Sequence, residues 1–334
     1  MPRHTFSLKV ATQENIEKIN PENIKLMERF LKEKNTRSSD KTIVVYRSNL
    51  LIFFCYNFLY NDNKFFVDIK KIEFADFFSY GVSDMKLGSA RLNNLRSVLS
   101  TLSLFIEKFM DESYPNFRNV ILKTIESTPK ETRRIKTILS DEQVQSLLDH
   151  LFETDKQKSC WLALAITSGA RFSELLRFDV DIIDENRMAF GDIFLETCRQ
   201  IKTKGRGHGG KLLYKYILRE KFLPYYKAWL IEREKIMKQN NQEHNSMFIK
   251  RDGSPITTAQ VRGWIIEFEK FLGVPFYSHS LRHYLTTLLA KKNIPTPLIQ
   301  EIFGWSGPEM VQLYTDLTNK DRHFSELDNF KFDA

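Results

Sequence analysis

The sequence predicts a mainly helical protein with a small β-sheet, arranged as an N-terminal helical bundle followed by a mixed α/β domain. Three observations carry this. At 334 residues the chain is longer than one compact core usually serves, so two domains are expected. Apolar residues recur at three- and four-residue spacing through most of the chain, the period of amphipathic helices. A basic segment with a proline and no apolar run, 127-STPKETRRIK-136, has net charge +3 and reads as an extended linker between two such regions.

Residues 1–19 are polar and read as a flexible arm. Asn20-Pro21 then gives an N-cap followed by proline at the first helical position, and Ile24, Met27, Phe30 and Leu31 share one helical face. A second helix opens near Asp40, with Val44, Leu51, Phe54 and Phe58 in helical register. A short third helix covers Phe74 to Tyr80 and is expected to stop at Gly81. The fourth has the clearest pattern: Leu92, Leu95, Leu99, Leu102, Ile106 and Phe109 line one face, with Asn93, Arg96, Ser100 and Lys108 between them. These helices form an expected domain over 20–126, joined by a linker over 127–137 to a second domain over 138–318, with a tail over 319–334.

The second domain opens on Ser140-Asp141-Glu142-Gln143, a capping box in which serine and glutamine satisfy each other's backbone N–H groups. Residues 159–178 read as two helices broken at Ser168-Gly169. Met188 to Lys204 and Leu212 to Leu218 read as two strands joined through GRGHGG, a glycine-rich hairpin turn. Helices resume over 220–238, over 258–273 and from 279 onward, the last ending at Gly304 and restarting at Pro308. There is no internal repeat.

Composition narrows the function classes. Apolar residues make up 42% and charged residues 28%, the balance of an ordinary soluble globular protein. The net charge of +8 favours an anionic partner without identifying it. Cys55, Cys160 and Cys198 are far apart, odd in number and without C-x-x-C spacing, which supports neither a disulfide framework nor a zinc knuckle and suits a reducing cytoplasm. The start, MPRHTFSLKVATQEN, has no signal-peptide core, and the longest apolar run, 50-LLIFFCYNFLY-60, is too short to span a bilayer.

Four patches of the second half carry groups suited to phosphate chemistry, and each has an ordinary explanation when taken singly. Arg171 in SGARFSELL fits an exposed pair with Glu174. Lys202 and Lys204 fit a solvated hairpin edge, where lysine discourages strand addition. His279 and His283 have the i, i+4 spacing of a metal pair, but H-S-L-R-H lacks the glutamate of H-E-x-x-H and sets Arg282 where a cation would be repelled. Tyr314 fits a ring packed in the core with its hydroxyl in water.

Together, SGARFSEL, HSLRH and FGW followed nine residues later by tyrosine resemble, in order and approximate separation, the boxes of the tyrosine recombinase (phage integrase) family. The helices around 42-TIVVYRSNL-50 and 90-ARLNNLRS-97 are similar to that family's DNA-clamping domain, so the resemblance runs over about residues 21 to 318.

The resemblance implies that Arg171 and Arg282 hold the nonbridging oxygens of a phosphodiester and that Tyr314 attacks the phosphorus. Lys204, or Lys202 on the same strand face, would protonate the leaving 5′ oxygen. His279 and Trp305 would contact the phosphate. Trp305 departs from the histidine found in many members, and its indole N–H can donate but cannot take up a proton. Glu174 would brace Arg171 or His283, and both Glu174 and His283 are expected to support the site without taking part in the chemistry. The DNA contacts expected outside the centre are Arg91 and Arg96 on the fourth helix and Lys130, Arg133, Arg134 and Lys136 in the linker. The implied reaction conserves bond energy through a phosphotyrosyl intermediate, so no cofactor, nucleotide or metal is expected. The implied partner is double-stranded DNA with an inverted-repeat core site, bound by a homotetramer on two duplexes, with Phe324, Leu327, Phe330 and Phe332 of the tail available to dock on a neighbour. A DNA-binding regulator that has lost catalysis and a type IB topoisomerase are the alternatives on the same fold.

Overall fold

The computed structural model describes residues 10–121, 125–126, 139–203, 210–305, 307–308 and 311. The chain divides into two compact units, one formed mainly by residues up to 134 and the other by residues from 135 onward.

The first unit is a helical bundle of α1 (Gln13–Glu17), α2 (Pro21–Asn35), α3 (Asp40–Tyr60), α4 (Lys71–Ser83) and α5 (Ser89–Phe109). The Asn20 side chain accepts from the Glu22 amide at 2.9 Å, so the Asn-Pro start of α2 is built as the sequence indicates. Helix α3 is the apolar centre, and Phe53 on it packs its ring against Phe66, Phe74 and Phe77 at centroid distances of 5.0–5.9 Å. An 18-residue window of α3, with mean hydropathy 1.3, is long and apolar enough to cross a membrane. In this bundle, however, it buries Leu50 and Phe53 together with the polar Asn49 and Asn57. The buried asparagines close the loop after α3: Asn23 and Asn57 both donate to the Lys64 carbonyl, at 2.8 and 2.7 Å, and Asn23 accepts from the Phe66 amide at 2.9 Å.

Two expectations for this unit need correction. Residues 10–19 are not a loose arm, because Thr12 caps α1 and both Val10 and Ile19 are buried in the bundle core. Nor does α4 stop at Gly81. It runs on to Ser83, and the buried Gly81 is where Leu92 of α5 comes close: a Cβ there would sit 2.8 Å from the Leu92 Cδ2. The missing side chain serves packing between helices, not termination.

The second unit is built around α7 (Lys156–Ser168), whose residues 159–168 are all buried. Helices α6 (Asp141–Thr154), α9 (Arg219–Gln239) and α11 (Ser278–Lys291) pack on it. The Ser140 and Gln143 capping box starts α6 as expected. The remaining helices are α8 (Phe172–Leu175), α10 (Thr258–Leu272) and α12 (Thr296–Phe303).

The long strand expected over 188–204 is broken into three. Strands β1 (Met188–Ala189), β2 (Phe194–Glu196) and β5 (Tyr216–Leu218) form one antiparallel sheet in the order β1-β2-β5, while β3 (Ile201–Thr203) and β4 (Lys211–Leu213) form a separate pair. Phe190, Gly191 and Asp192 all take left-handed backbone, which turns the chain back on itself between β1 and β2. The expected hairpin survives as β3-β4, with Ile201 opposite Leu213 and Thr203 opposite Lys211.

Candidate active site

Two helix ends in the second unit converge on one arginine. Helix α7 closes at Gly169, in left-handed backbone with φ +55°, and its amide donates to the Ala165 carbonyl. Helix α12 closes at Gly304, with φ +63°; the amides of Gly304 and Trp305 donate to the carbonyls of Glu301 and Gln300, a Schellman turn that fixes the direction of Trp305. Arg282, on α11 and 3% exposed, donates from one guanidinium nitrogen to the Gly169 carbonyl at 2.6 Å and from the other to the Phe303 carbonyl at 3.2 Å. Helix C-termini carry partial negative charge and carbonyls without intrahelical partners, so a cation bound there is stabilised by both.

The aromatic side of the site follows from the same turns. Phe303 and Trp305 stack at 4.7 Å with 14° between their planes, and the Arg282 guanidinium lies over both rings, 4.7 and 4.9 Å from their centroids. Gly169 must be glycine for this packing, since a Cβ there would lie 2.2 Å from Cε1 of Phe303.

Arg171 lies two residues past Gly169 and caps α8. Its amide donates to the Glu174 Oε2 at 3.0 Å and its guanidinium to Oε1 at 2.8 Å, while its side chain stays 29% exposed. Glu174 is fully buried, and a second cation meets it: Lys215 Nζ donates to Oε2 at 2.7 Å. Burial pushes the Glu174 carboxyl up, but the Lys215 charge and hydrogen bond, with those of Arg171, outweigh it and hold the group at about 2. For Lys215, itself 2% exposed, burial pulls the ammonium below its ordinary value. Glu174 opposes that shift, and the nearby Arg282 and Arg171 add to it.

The sequence-expected residues thus fall into groups. Arg171, Glu174, Arg282 and Trp305 are brought into one neighbourhood, linked through Gly169, Phe303 and Lys215. His279 and His283 sit on α11 beside Arg282, the first exposed and the second buried, with their rings perpendicular at 5.1 Å. Glu174 gives its oxygens to Arg171 and Lys215, so of the two braces expected of it the Arg171 one is seen. Lys202 is exposed on β3, and its carbonyl accepts from Arg177. In the first unit, Arg91 is half-buried and its guanidinium pKa is lowered by that burial, while Arg96 donates from Nε to the Ile125 carbonyl at 2.5 Å, anchoring the chain as it leaves the bundle. Lys130, Arg133, Arg134, Lys136, Lys204, Tyr314 and the tail lie outside the described residues.

Lys215 is the residue that sequence reasoning missed. Between Tyr214 and Tyr216 it reads as an exposed strand lysine, and its partner lies 41 residues earlier. The available signal was Glu174 itself, a carboxylate in the apolar run SELL that needs more than one cation if buried. Among the described residues, no group of three or more His, Cys, Asp or Glu is disposed to hold a metal. A cleft of about 900 Å³ lined by Asp141, Leu148, Phe152, Tyr225 and Tyr284 has none of the candidates in its lining.

Residues 137–321, more than half of the chain, match the phage integrase family. The chain belongs to that family. Among individual members, tyrosine recombinase XerC of Corynebacterium glutamicum is 26% identical over 205 residues, which cover 58% of this chain and 58% of the relative, so the match spans under two thirds of that protein's length. Tyrosine recombinase XerC of Rickettsia bellii is 22% identical over 290 residues, covering 84% of this chain and 88% of its own. The fold is shared with XerH site-specific recombinase bound to palindromic difH substrate in a post-cleavage complex, at a TM-score of 0.68 and 19% identity, over 90% of this chain and 94% of that one. It is also shared with a lambda integrase dimer bound to a COC′ core site, at a TM-score of 0.60 and 15% identity, over 87% and 94% of the two chains.

Proposed function

We propose that this member of the family is a tyrosine site-specific recombinase that cleaves and rejoins DNA strands, with residues 20–126 clamping the duplex and residues 138–318 carrying the chemistry. The observation that carries this reading is the guanidinium pair: Arg282 is bonded to Gly169, two residues from Arg171, although the two arginines are remote in sequence. Two planar forks near one point suit a phosphodiester, whose nonbridging oxygens gain negative charge as the phosphorus becomes five-coordinate. Guanidinium keeps its charge at any working pH, so the phosphate cannot take its proton.

The Tyr314 phenol oxygen attacks the phosphorus, its proton passing to His279. The bond from phosphorus to the 5′ oxygen breaks, Lys204 gives that oxygen a proton, and a 3′-phosphotyrosyl bond and a 5′ hydroxyl result. The Trp305 indole N–H donates to the phosphate. Rejoining reverses the step with a 5′ hydroxyl from the partner strand, so no nucleotide or metal is consumed. The solved relatives include a lambda integrase dimer on a core site and a tetramer on a Holliday junction. By analogy this chain recombines inverted-repeat sites as a tetramer on two duplexes, with its tail on a neighbouring subunit, and works in the cytoplasm in association with DNA.

The test uses the full chain and a library of nicked duplexes of randomised sequence, in which cleavage releases a short fragment and traps the covalent product. Adducts that survive detergent should form with the wild type and be lost in Tyr314→Phe. Binding without any trapped adduct would favour a regulator that has lost catalysis, and equal trapping by the phenylalanine variant would show that another residue is the nucleophile.

A further inference from the structure

Glu174 has two carboxylate oxygens and three donors. Its Oε2 takes the Lys215 ammonium at 2.7 Å and the Arg171 amide at 3.0 Å, which leaves Oε1 directed at the Arg171 guanidinium, 2.8 Å away. Without Lys215, that buried carboxylate is held by Arg171 alone, so the Arg171 fork loses an anchor that is independent of its own residue, and the carboxylate takes up a proton more readily. Lys215 is itself held by the sheet: its amide donates to the Thr197 hydroxyl and its carbonyl accepts from the Thr197 amide, both at 3.0 Å, where β5 begins beside β2. Lys215 is 2% exposed, and its ammonium is directed at the Glu174 carboxylate.

We propose that Lys215 is a positioning residue of the candidate site, transmitting the rigidity of the β2-β5 sheet through the Glu174 carboxylate to the Arg171 guanidinium. The proposal rests on the phosphoryl-transfer reading above. It assigns Lys215 no contact with substrate and no proton transfer; the ammonium acts by where it holds the carboxylate. An arginine in its place can keep the charge and the bond, whereas methionine fills the volume and removes both.

The experiment measures single-turnover adduct formation on a nicked duplex recovered from the library, together with affinity for the unnicked duplex, across pH 5.5 to 8.5, for wild type, Lys215→Met, Lys215→Arg and the double variant Glu174→Leu/Lys215→Met. A misplacement of about 1 Å at a reacting centre lowers rates on the order of 100-fold, so Lys215→Met should cleave roughly 10- to 100-fold more slowly. Its DNA affinity should stay within about threefold, because phosphate contacts elsewhere dominate binding. Its cleavage should also fall further towards acid pH. The charged groups facing Glu174 are Arg171 and Lys215, and those facing Lys215 are Glu174, Arg171 and Arg282, so removing the ammonium leaves burial to raise the carboxyl towards the assay range. Lys215→Arg should recover most of the rate. The double variant exchanges a buried ion pair for apolar volume and should fold even if Lys215→Met does not; it should nonetheless stay slow.

Wild-type cleavage with an equally fast, folded Lys215→Met or double variant would overturn the proposal, as would a loss that only follows DNA affinity or is not recovered by arginine. Failure of the wild type itself to form an adduct would instead overturn the reading on which the proposal rests.

Discussion

Replacing Gly169 with alanine tests the central packing of the candidate site. Two separable effects act there. The residue holds left-handed backbone at φ +55°, which costs a residue with a Cβ about 1–2 kcal/mol. The new Cβ also falls 2.2 Å from Cε1 of the Phe303 ring, and relief of an overpacked contact of that kind costs about 1–3 kcal/mol more. Gly273 supplies the control: it ends α10 at φ +65° with nothing within 4 Å of an added Cβ, so Gly273→Ala reports the backbone effect alone. The expected losses are about 2–5 kcal/mol for Gly169→Ala and about 1–2 kcal/mol for the control. At roughly 2–4 °C per kcal/mol for a unit of about 200 residues, the first lowers the melting temperature by roughly 4–20 °C. Trp161, Trp229, Trp264 and Trp305 are the only tryptophans and all lie in the second unit, so their fluorescence follows its unfolding selectively. Equal melting shifts in the two variants would refute the close approach of Phe303 to Gly169, and with it the account of how Arg282 and Trp305 are aimed.

Two further expectations concern buried polar groups. Glu174 is held at about 2, below its ordinary 4.5, so its stabilisation is complete above the unfolded value and lost as pH falls through the folded one. At about 1.4 kcal/mol per tenfold change in proton affinity this amounts to about 3 kcal/mol; urea titrations of wild type and Glu174→Gln should differ most at neutral pH and converge towards pH 2, and a constant gap would contradict the assignment. In the first unit, Asn23→Ala strands the Phe66 amide and leaves the Lys64 carbonyl to Asn57 alone, and should destabilise the bundle by about 1–3 kcal/mol, seen as lower helical signal at intermediate urea, whereas a loss under about 0.5 kcal/mol would show that those bonds do not secure the loop.

Local chemistry was legible in the sequence and long-range chemistry was not. Asn20-Pro21 and the Ser140 box start the helices they were expected to start, because a cap is settled within four residues. SGARFSEL and HSLRH come together in the fold, where Arg282 bonds the Gly169 carbonyl, because each short pattern sets its arginine at a helix end or on a helix face. Gly81 misled because glycine serves equally as a stop and as a gap for a neighbouring side chain, and only the position of Leu92 separates the two. Residues 188–204 have the composition of one continuous strand, and the left-handed backbone of Phe190 and Asp192 that breaks it is not evident from residue type alone. Val10 and Ile19 look like isolated apolar residues in a polar stretch, and their burial depends on a bundle assembled from residues far downstream. Lys215 is the extreme case, invisible until the sheet carries it to Glu174.

The two carbonyls that receive Arg282 lie on opposite sides of it in the chain, one 113 residues earlier and the other 21 residues later. A nascent or partly melted catalytic unit therefore cannot present this guanidinium correctly, because losing either segment removes one of its two seats. The seat is therefore a property of the finished fold and of neither segment alone, so the guanidinium is aimed only once both helix ends are in place.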